Sequence, residues 1–138
     1  MIDLETLATT PEAAILTIGA CKFDPHGDTI ADTFYERIDI DTQDRDINPS
    51  TIEWWSKQDP SIMEEAFSAK GRMNVETMLD QLTKWLVGVD TIWGHGYGFD
   101  ISILEDLYRN WNRSDAKWQC LVWSSRVFLS SSITLTTD

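Results

Sequence analysis

Apolar and polar positions along this chain fall into a series of patterns, each with its own period. Ile2-Asp3-Leu4-Glu5-Thr6 alternates, as a strand does when it buries one face and exposes the other. Residues 14–23 form an apolar run that predicts a largely buried strand, and Asp24-Pro25-His26-Gly27-Asp28 predicts a turn. Residues 33–40 alternate again. Three strands on short connections predict an antiparallel meander, with Asp3 and Glu5 on its first strand.

The second half carries helical spacing. Asn48-Pro49-Ser50-Thr51 supplies start signals for a helix over residues 52–58, which Pro60 breaks. A second helical piece over 61–67 is closed by Lys70-Gly71-Arg72. Asn74 caps a longer helix in which Val75, Met78, Leu79, Leu82, Trp85 and Leu86 recur on one face, with Gly88 as the stop. Residues 90–93 predict a short strand running into Gly94-His95-Gly96-Tyr97-Gly98. Phe99-Asp100 then opens a helix carrying Ile103, Leu104, Leu107, Tyr108 and Trp111. Residues 119–123 predict one more strand, and beyond it Ser and Thr dominate with weak periodicity. The pattern gives a single α/β domain over residues 1–123 and a divergent Ser/Thr-rich tail over 124–138, without an internal repeat or linker.

A length of 138 residues suits one core, and 42% hydrophobic residues with seven tryptophans are those of a chain that folds. The net charge of -12 excludes a basic protein that coats a nucleic-acid duplex. It does not exclude an enzyme that holds a strand end through metal ions, because bound cations reverse the local field. Lys57, Lys70, Arg72, Lys84, Arg109, Arg113, Lys117 and Arg126 have two readings, phosphate contacts or scattered solvated charge. Cys21 and Cys120 lie in apolar runs without metal-type spacing and read as buried thiols rather than a disulfide. Without a signal-peptide pattern or a membrane-length apolar stretch, the chain reads as soluble and cytoplasmic, with no membrane partner.

The chemistry starts at the acids. In a strand, residues i and i+2 share a face, so Asp3 and Glu5 project together, about 7 Å apart along the strand. A bare pair of carboxylates raises at least one pKa, whereas a divalent cation holds both ionised. The glycine loop 94–98 is not a phosphate-cradling P-loop, since it lacks the Gly-Lys-Ser/Thr ending. It places Asp100 at the carboxyl end of a strand, where open α/β sheets build their sites. Read alone, Asp100 is a helix N-terminal acid favoured by the dipole. Joined to Asp3 and Glu5, it completes a set of carboxylates suited to hard cations such as Mg²⁺ or Mn²⁺. Two such ions about 3.5–4 Å apart activate a water and stabilise the leaving oxygen of a phosphodiester.

Ile2-Asp3-Leu4-Glu5-Thr6, the strand at 14–20, Thr51-Ile52-Glu53-Trp54-Trp55-Ser56-Lys57-Gln58 and Trp93-Gly94-His95-Gly96-Tyr97-Gly98-Phe99-Asp100 together resemble the DEDD-type 3′→5′ exonucleases. The branch they resemble is the phage and prophage one, with the T4 DexA type, the exonuclease VIII type and the mycobacterial exoribonuclease-like domain. The resemblance covers residues 1–123. It implies an RNase H-like fold: a mixed sheet with antiparallel first three strands and flanking helices. It also implies two divalent cations and single-stranded nucleic-acid 3′ ends as substrate. Asp3, Glu5 and Asp100 are then catalytic and metal-binding: Asp3 bridges both ions, Glu5 binds one and positions the water, and Asp100 binds the other. Thr6 and Leu7 meet the 3′-terminal nucleotide in the family; read from position alone they equally suit a structural loop. Trp54 and Trp55 point about 100° apart on a helix, so one suits the core while the other is free to stack on a base. His95 reads as phosphate- or metal-binding, or as a structural residue, and His26 as surface.

One part of the family pattern is missing. The family carries a late aspartate a few residues after a general-base histidine, whereas here the only histidines are His26 and His95, and Asp138 is the only acid after Asp115. The expectation is a chain cut short or shifted out of frame near Trp123, with impaired activity. The rival function is a catalytically inactive domain of the same fold that binds nucleic-acid ends or a protein. Asp39, Asp41, Asp44 and Asp46 read as a solvated loop rather than a calcium site, lacking the EF-hand glycine and closing glutamate. DNA and RNA remain equal as substrates, and a homo-oligomer is compatible with the sequence.

Overall fold

The computed structural model describes residues 1–95 and 99–111, together with the backbone of a strand at 126–128. The predicted meander forms: β1 (Ile2–Thr6) pairs antiparallel with β2 (Ile15–Phe23), which pairs antiparallel with β3 (Ile30–Ile38). The third strand starts earlier than its alternation predicts and stops at Ile38, because Asp39 accepts from the amide of Asp41 and turns the chain into a 3-10 segment, Ile40–Thr42. A short strand, β4 (Arg72–Met73), joins β3 in parallel where the sequence predicts only a helix-closing turn. It is too short to carry a period of its own.

The helix signals act as their chemistry dictates. Asn48 caps α1 (Pro49–Ser56) by accepting from the Ser50 amide, and Pro49 sits where a missing N–H costs nothing. Pro60 does more than break that helix: with Asp59 as cap it starts α2 (Pro60–Phe67). Asn74 caps α3 (Val75–Trp85), and α4 (Asp100–Asn110) follows β5 (Thr91–Trp93) without a side-chain cap.

The sheet order is β1-β2-β3-β4, and β5 pairs in parallel with β6 (Arg126–Phe128). A parallel bridge between Ile2 and Gly94 lays the end of β5 along the free edge of β1. Strand β6 lies in the tail that sequence periodicity left without an element; the strand predicted at 119–123 and the domain boundary at Trp123 lie outside the described residues.

One face of the sheet packs Ile2, Leu4, Ile18, Ala20 and Ile38 against α3 and α4. The other packs Leu16 with Leu7, Ala14, Trp55 and Ala66, beneath α1 and α2. The switch between faces is a bulge: Glu5 pairs with Thr17 but Thr6 with Ile15, so Leu16 is skipped and Ile15 and Ile18 join the same core. No helix among the described residues is long and apolar enough to cross a membrane.

Candidate active site

The exposed acids of β1 lie on the face of the sheet that α2 covers in part. Ile2, Leu4 and Thr6 are buried while Asp3 and Glu5 are exposed, so the alternation read in the sequence holds at every position of the strand. Antiparallel pairing extends each acid into a row: Asp3 stands opposite Gly19, which stands opposite Tyr35, and Glu5 opposite Thr17, which stands opposite Arg37. Asp3, Glu5, Thr17, Gly19 and Tyr35 form the floor of a cavity of about 220 Å³, and Ile62, Glu65 and Ala66 of α2 form its wall.

Asp100 approaches from the other edge of β1. Its side chain is 2% exposed, and Oδ1 accepts a 3.0 Å hydrogen bond from the backbone N–H of Leu4, the residue between Asp3 and Glu5. Gly94 permits this approach: a Cβ there would stand 3.1 Å from Ile101 Cγ1 and 3.7 Å from Asp100 Cβ. The first glycine of the loop therefore serves close packing of α4 on the β1–β5 edge.

The carboxylates feel one another. Burial pushes the Glu5 pKa up, and the charges of Asp3 and Asp100 add to the shift. Burial likewise pushes Asp100 up, reinforced by Asp3 and opposed by the hydrogen bonds from Leu4 and from the His95 backbone. Among the described residues, no Lys or Arg pairs with these acids. As they lie, no three His, Cys, Asp or Glu side chains among the described residues stand close enough to chelate one ion. The donors nonetheless suit a hard cation in kind: all are carboxylate oxygens, and a cation between them removes the repulsion that raises Glu5 and Asp100.

The other residues singled out by sequence divide. Trp55 is buried, and its indole N–H donates to the Thr6 carbonyl at 2.9 Å, tying α1 to the end of β1. Trp54 is 54% exposed and meets Trp55 edge-on, with ring centroids 5.0 Å apart. Thr6 is buried, its hydroxyl donating to the Ala8 carbonyl. Leu7 lies in the core, its amide donating to the Ala14 carbonyl and its carbonyl accepting from the Asn48 amide. His95 is exposed, and His26 lies in an exposed turn. Asp39 and Asp46 serve the fold, one capping the 3-10 segment and the other accepting from the Thr10 hydroxyl. Arg72 spends its guanidinium on the carbonyls of Ser68, Leu16, Ile38 and Ala66. Cys21 is half-buried and carries a free thiol.

Sequence reasoning missed Tyr35, Ile62 and Glu65. Tyr35 falls on the face of Asp3 only through the register of two hairpins, and a period-2 reading of β3 combined with that pairing is the signal that finds it.

Comparison with known proteins places the chain among nucleases by similarity. An exodeoxyribonuclease of enterobacteria phage T4 is 30% identical over 132 residues, covering 82% of this chain and 56% of the phage protein. The chain thus spans little more than half the length of that relative. A family model described as the 3′-5′ exoribonuclease Rv2179c-like domain matches residues 1–130, and the chain, matched over nearly its whole length, belongs to that family.

Proposed function

We propose that the chain is a 3′→5′ exonuclease of the DEDD type on an RNase H-like fold, hydrolysing single-stranded DNA or RNA from the 3′ end to nucleoside 5′-monophosphates with two divalent cations, Mg²⁺ or Mn²⁺. The observation that carries this reading is the contact between Asp100 Oδ1 and the Leu4 amide, which holds a carboxylate from a distant helix beside the strand bearing Asp3 and Glu5. Family membership supports the activity, and the bridge from Ile2 to Gly94, which extends the sheet from β1 to β5 and β6, supports the fold.

Asp3, Glu5 and Asp100 would hold the metal. When bound, two cations supply an activated water and charge stabilisation at the leaving oxygen. The chain's own groups do the rest. Asp100, fixed by the Leu4 and His95 amides, gives the site a rigid wall. Asp3 and Glu5 stay exposed on the same face, open to an incoming strand end. Glu5, exposed beside Asp3 on the same face, would orient the attacking water. Trp54, exposed on α1, offers an indole for stacking on a base.

A 5′-labelled oligonucleotide incubated with the protein and Mn²⁺ tests this: a ladder of shortened products that EDTA abolishes is expected, with DNA and RNA strands run side by side. The family description names ribonuclease activity and the T4 relative a deoxyribonuclease, so both sugars belong in the assay. A second reading, an inactive domain that grips strand ends, is favoured by the spacing of the acids, since among the described residues no three stand close enough to chelate one ion. Retention of the oligonucleotide without shortening is its signature.

A further inference from the structure

We propose that Tyr35 and Ile62 form the subsite for the nucleobase of the nucleotide held at Asp3 and Glu5, an inference that rests on the exonuclease reading of that site. Tyr35 stands two strands from Asp3 in the same cross-strand row, and the residue between them is Gly19. The Tyr35 ring lies beside this glycine: a Cβ on Gly19 would stand at ordinary van der Waals distance, 3.9 Å from Tyr35 Cδ2 and 4.0 Å from the Asp3 carbonyl oxygen. The ring therefore borders the same cavity as both carboxylates.

Ile62 faces this cavity from α2, and both side chains are about half exposed, Tyr35 at 53% and Ile62 at 51%. Large apolar groups left open to water beside polar catalytic candidates form a surface that gains by being covered. At about 220 Å³ the cavity is smaller than a typical pocket for a drug-sized ligand, and it suits one ring system lying flat. A nucleobase fits that description, because every base presents a π-face to an aromatic ring while its sugar-phosphate reaches the acids. Glu65 is the positioning residue: its Oε1 accepts from the Tyr35 hydroxyl at 3.3 Å and holds the ring on the cavity side. Neither Trp54 nor Trp55 lines this cavity.

Titration calorimetry in Mn²⁺ with adenosine 5′-monophosphate and ribose 5-phosphate separates base from sugar-phosphate. The wild-type chain is expected to bind the nucleotide about tenfold more tightly, the scale of one base–aromatic stack. Tyr35→Ala should remove that advantage and leave ribose 5-phosphate binding unchanged. Tyr35→Phe should keep it, because the ring rather than the hydroxyl stacks. Glu65→Ala should reduce the nucleotide's advantage without touching ribose 5-phosphate affinity. Equal wild-type affinity for both probes, or a Tyr35→Ala loss shared by both, overturns the base subsite while leaving the exonuclease reading standing. Binding of neither probe, with no shortening of the labelled oligonucleotide, overturns the exonuclease reading and the subsite together.

Discussion

Asp100 Oδ1 and the backbone N–H of Leu4 meet at 3.0 Å although the two residues lie 96 apart in sequence. The bond does structural and chemical work at once. It satisfies an edge amide of β1 that has no strand partner at that point, and it sets a buried carboxylate beside the two exposed acids of the strand. These roles separate by substitution. Asp100→Asn keeps an oxygen acceptor for Leu4 and removes the charge, so stability should hold while Mn²⁺ binding and nuclease activity fall together. Asp100→Ala removes both, stranding a buried amide at a cost of about 1–3 kcal/mol. Thermal denaturation beside metal titration checks the pair; an Asn variant with wild-type metal affinity would remove Asp100 from the site.

Stability without metal should depend on pH with a definite sign. Glu5 and Asp100 both have folded pKa values raised above the ordinary carboxylate value, chiefly by burial. Between the ordinary and the raised values the folded state holds more protons than the unfolded one, so stability falls as pH rises through that window. Above it the penalty is complete, and a divalent cation bound by the cluster, as proposed, would relieve it. Urea denaturation of the metal-free protein should therefore give a higher midpoint in the acid part of the window than at pH 7. Adding Mn²⁺ at pH 7 should raise the midpoint, and Glu5→Gln should flatten the pH slope. A midpoint that rises with pH across the window contradicts this account.

The adjacent tryptophans of α1 should behave as opposites. Trp55 packs against Leu7, Leu16 and Ala66 and donates to the Thr6 carbonyl, so Trp55→Ala should cost about 3–5 kcal/mol. Trp55→Phe retains part of the packing and loses the hydrogen bond, at a cost of about 1 kcal/mol or more. Trp54 is 54% exposed, and Trp54→Ala should change stability by about 0.5 kcal/mol or less while weakening oligonucleotide binding. Equilibrium unfolding in urea reads the first two, and fluorescence anisotropy of a labelled strand reads the third.

Arg45 joins regions far apart in sequence. Its guanidinium donates to the carbonyls of Ala13 and Pro11 and pairs with Asp106 of α4 at 2.8 Å, with both side chains largely buried. Removing the cation leaves the Asp106 carboxylate with only the Asn110 amide and strands the Ala13 carbonyl, so Arg45→Ala should cost about 1–3 kcal/mol. Lysine has no planar fork to reach all three acceptors, and Arg45→Lys should recover only part of that loss. Arg45→Ala paired with Asp106→Ala in a double-mutant cycle, followed by urea unfolding, isolates the coupling.

Much of this arrangement was legible in the sequence because its signals are local. The Ile2–Thr6 alternation and the Asn48 and Asn74 caps act within a turn or a strand, and the periodic face of α3 acts within one helix, so the residues carry their own instructions. The acids of β1 could be paired with Asp100 because each sits at a recognisable junction. What escaped reading depends on pairing between distant segments. Strand β4 is two residues long and exists only because the edge of β3 is there to receive it. Tyr35 reaches the site through a register set by two hairpins. The division of Trp54 from Trp55 could be anticipated, but which of them enters the core is decided by the Thr6 carbonyl and by Phe67, whose ring meets Trp55 edge-on at 5.6 Å.

Gly94 tests whether the site depends on how closely α4 approaches β1. A methyl group there would stand 3.1 Å from Ile101 Cγ1, tighter than side chains normally pack, so in Gly94→Ala the buried Ile101 side chain must give by a few tenths of an ångström, and the expected response is an outward shift of the start of α4. Asp100 is the first residue of that helix, and its bond to Leu4 lengthens with any outward shift. Mn²⁺ affinity should drop several-fold while the chain stays folded, because displacements well under an ångström already weaken a charged contact in a buried site. Ile101→Ala removes the atom that the new methyl meets. Combining the substitutions should recover metal affinity relative to Gly94→Ala alone, even though Ile101→Ala by itself costs stability through lost core packing. Purely additive losses in metal affinity across the two sites would mean that glycine at 94 serves the backbone of the loop rather than the approach of Asp100.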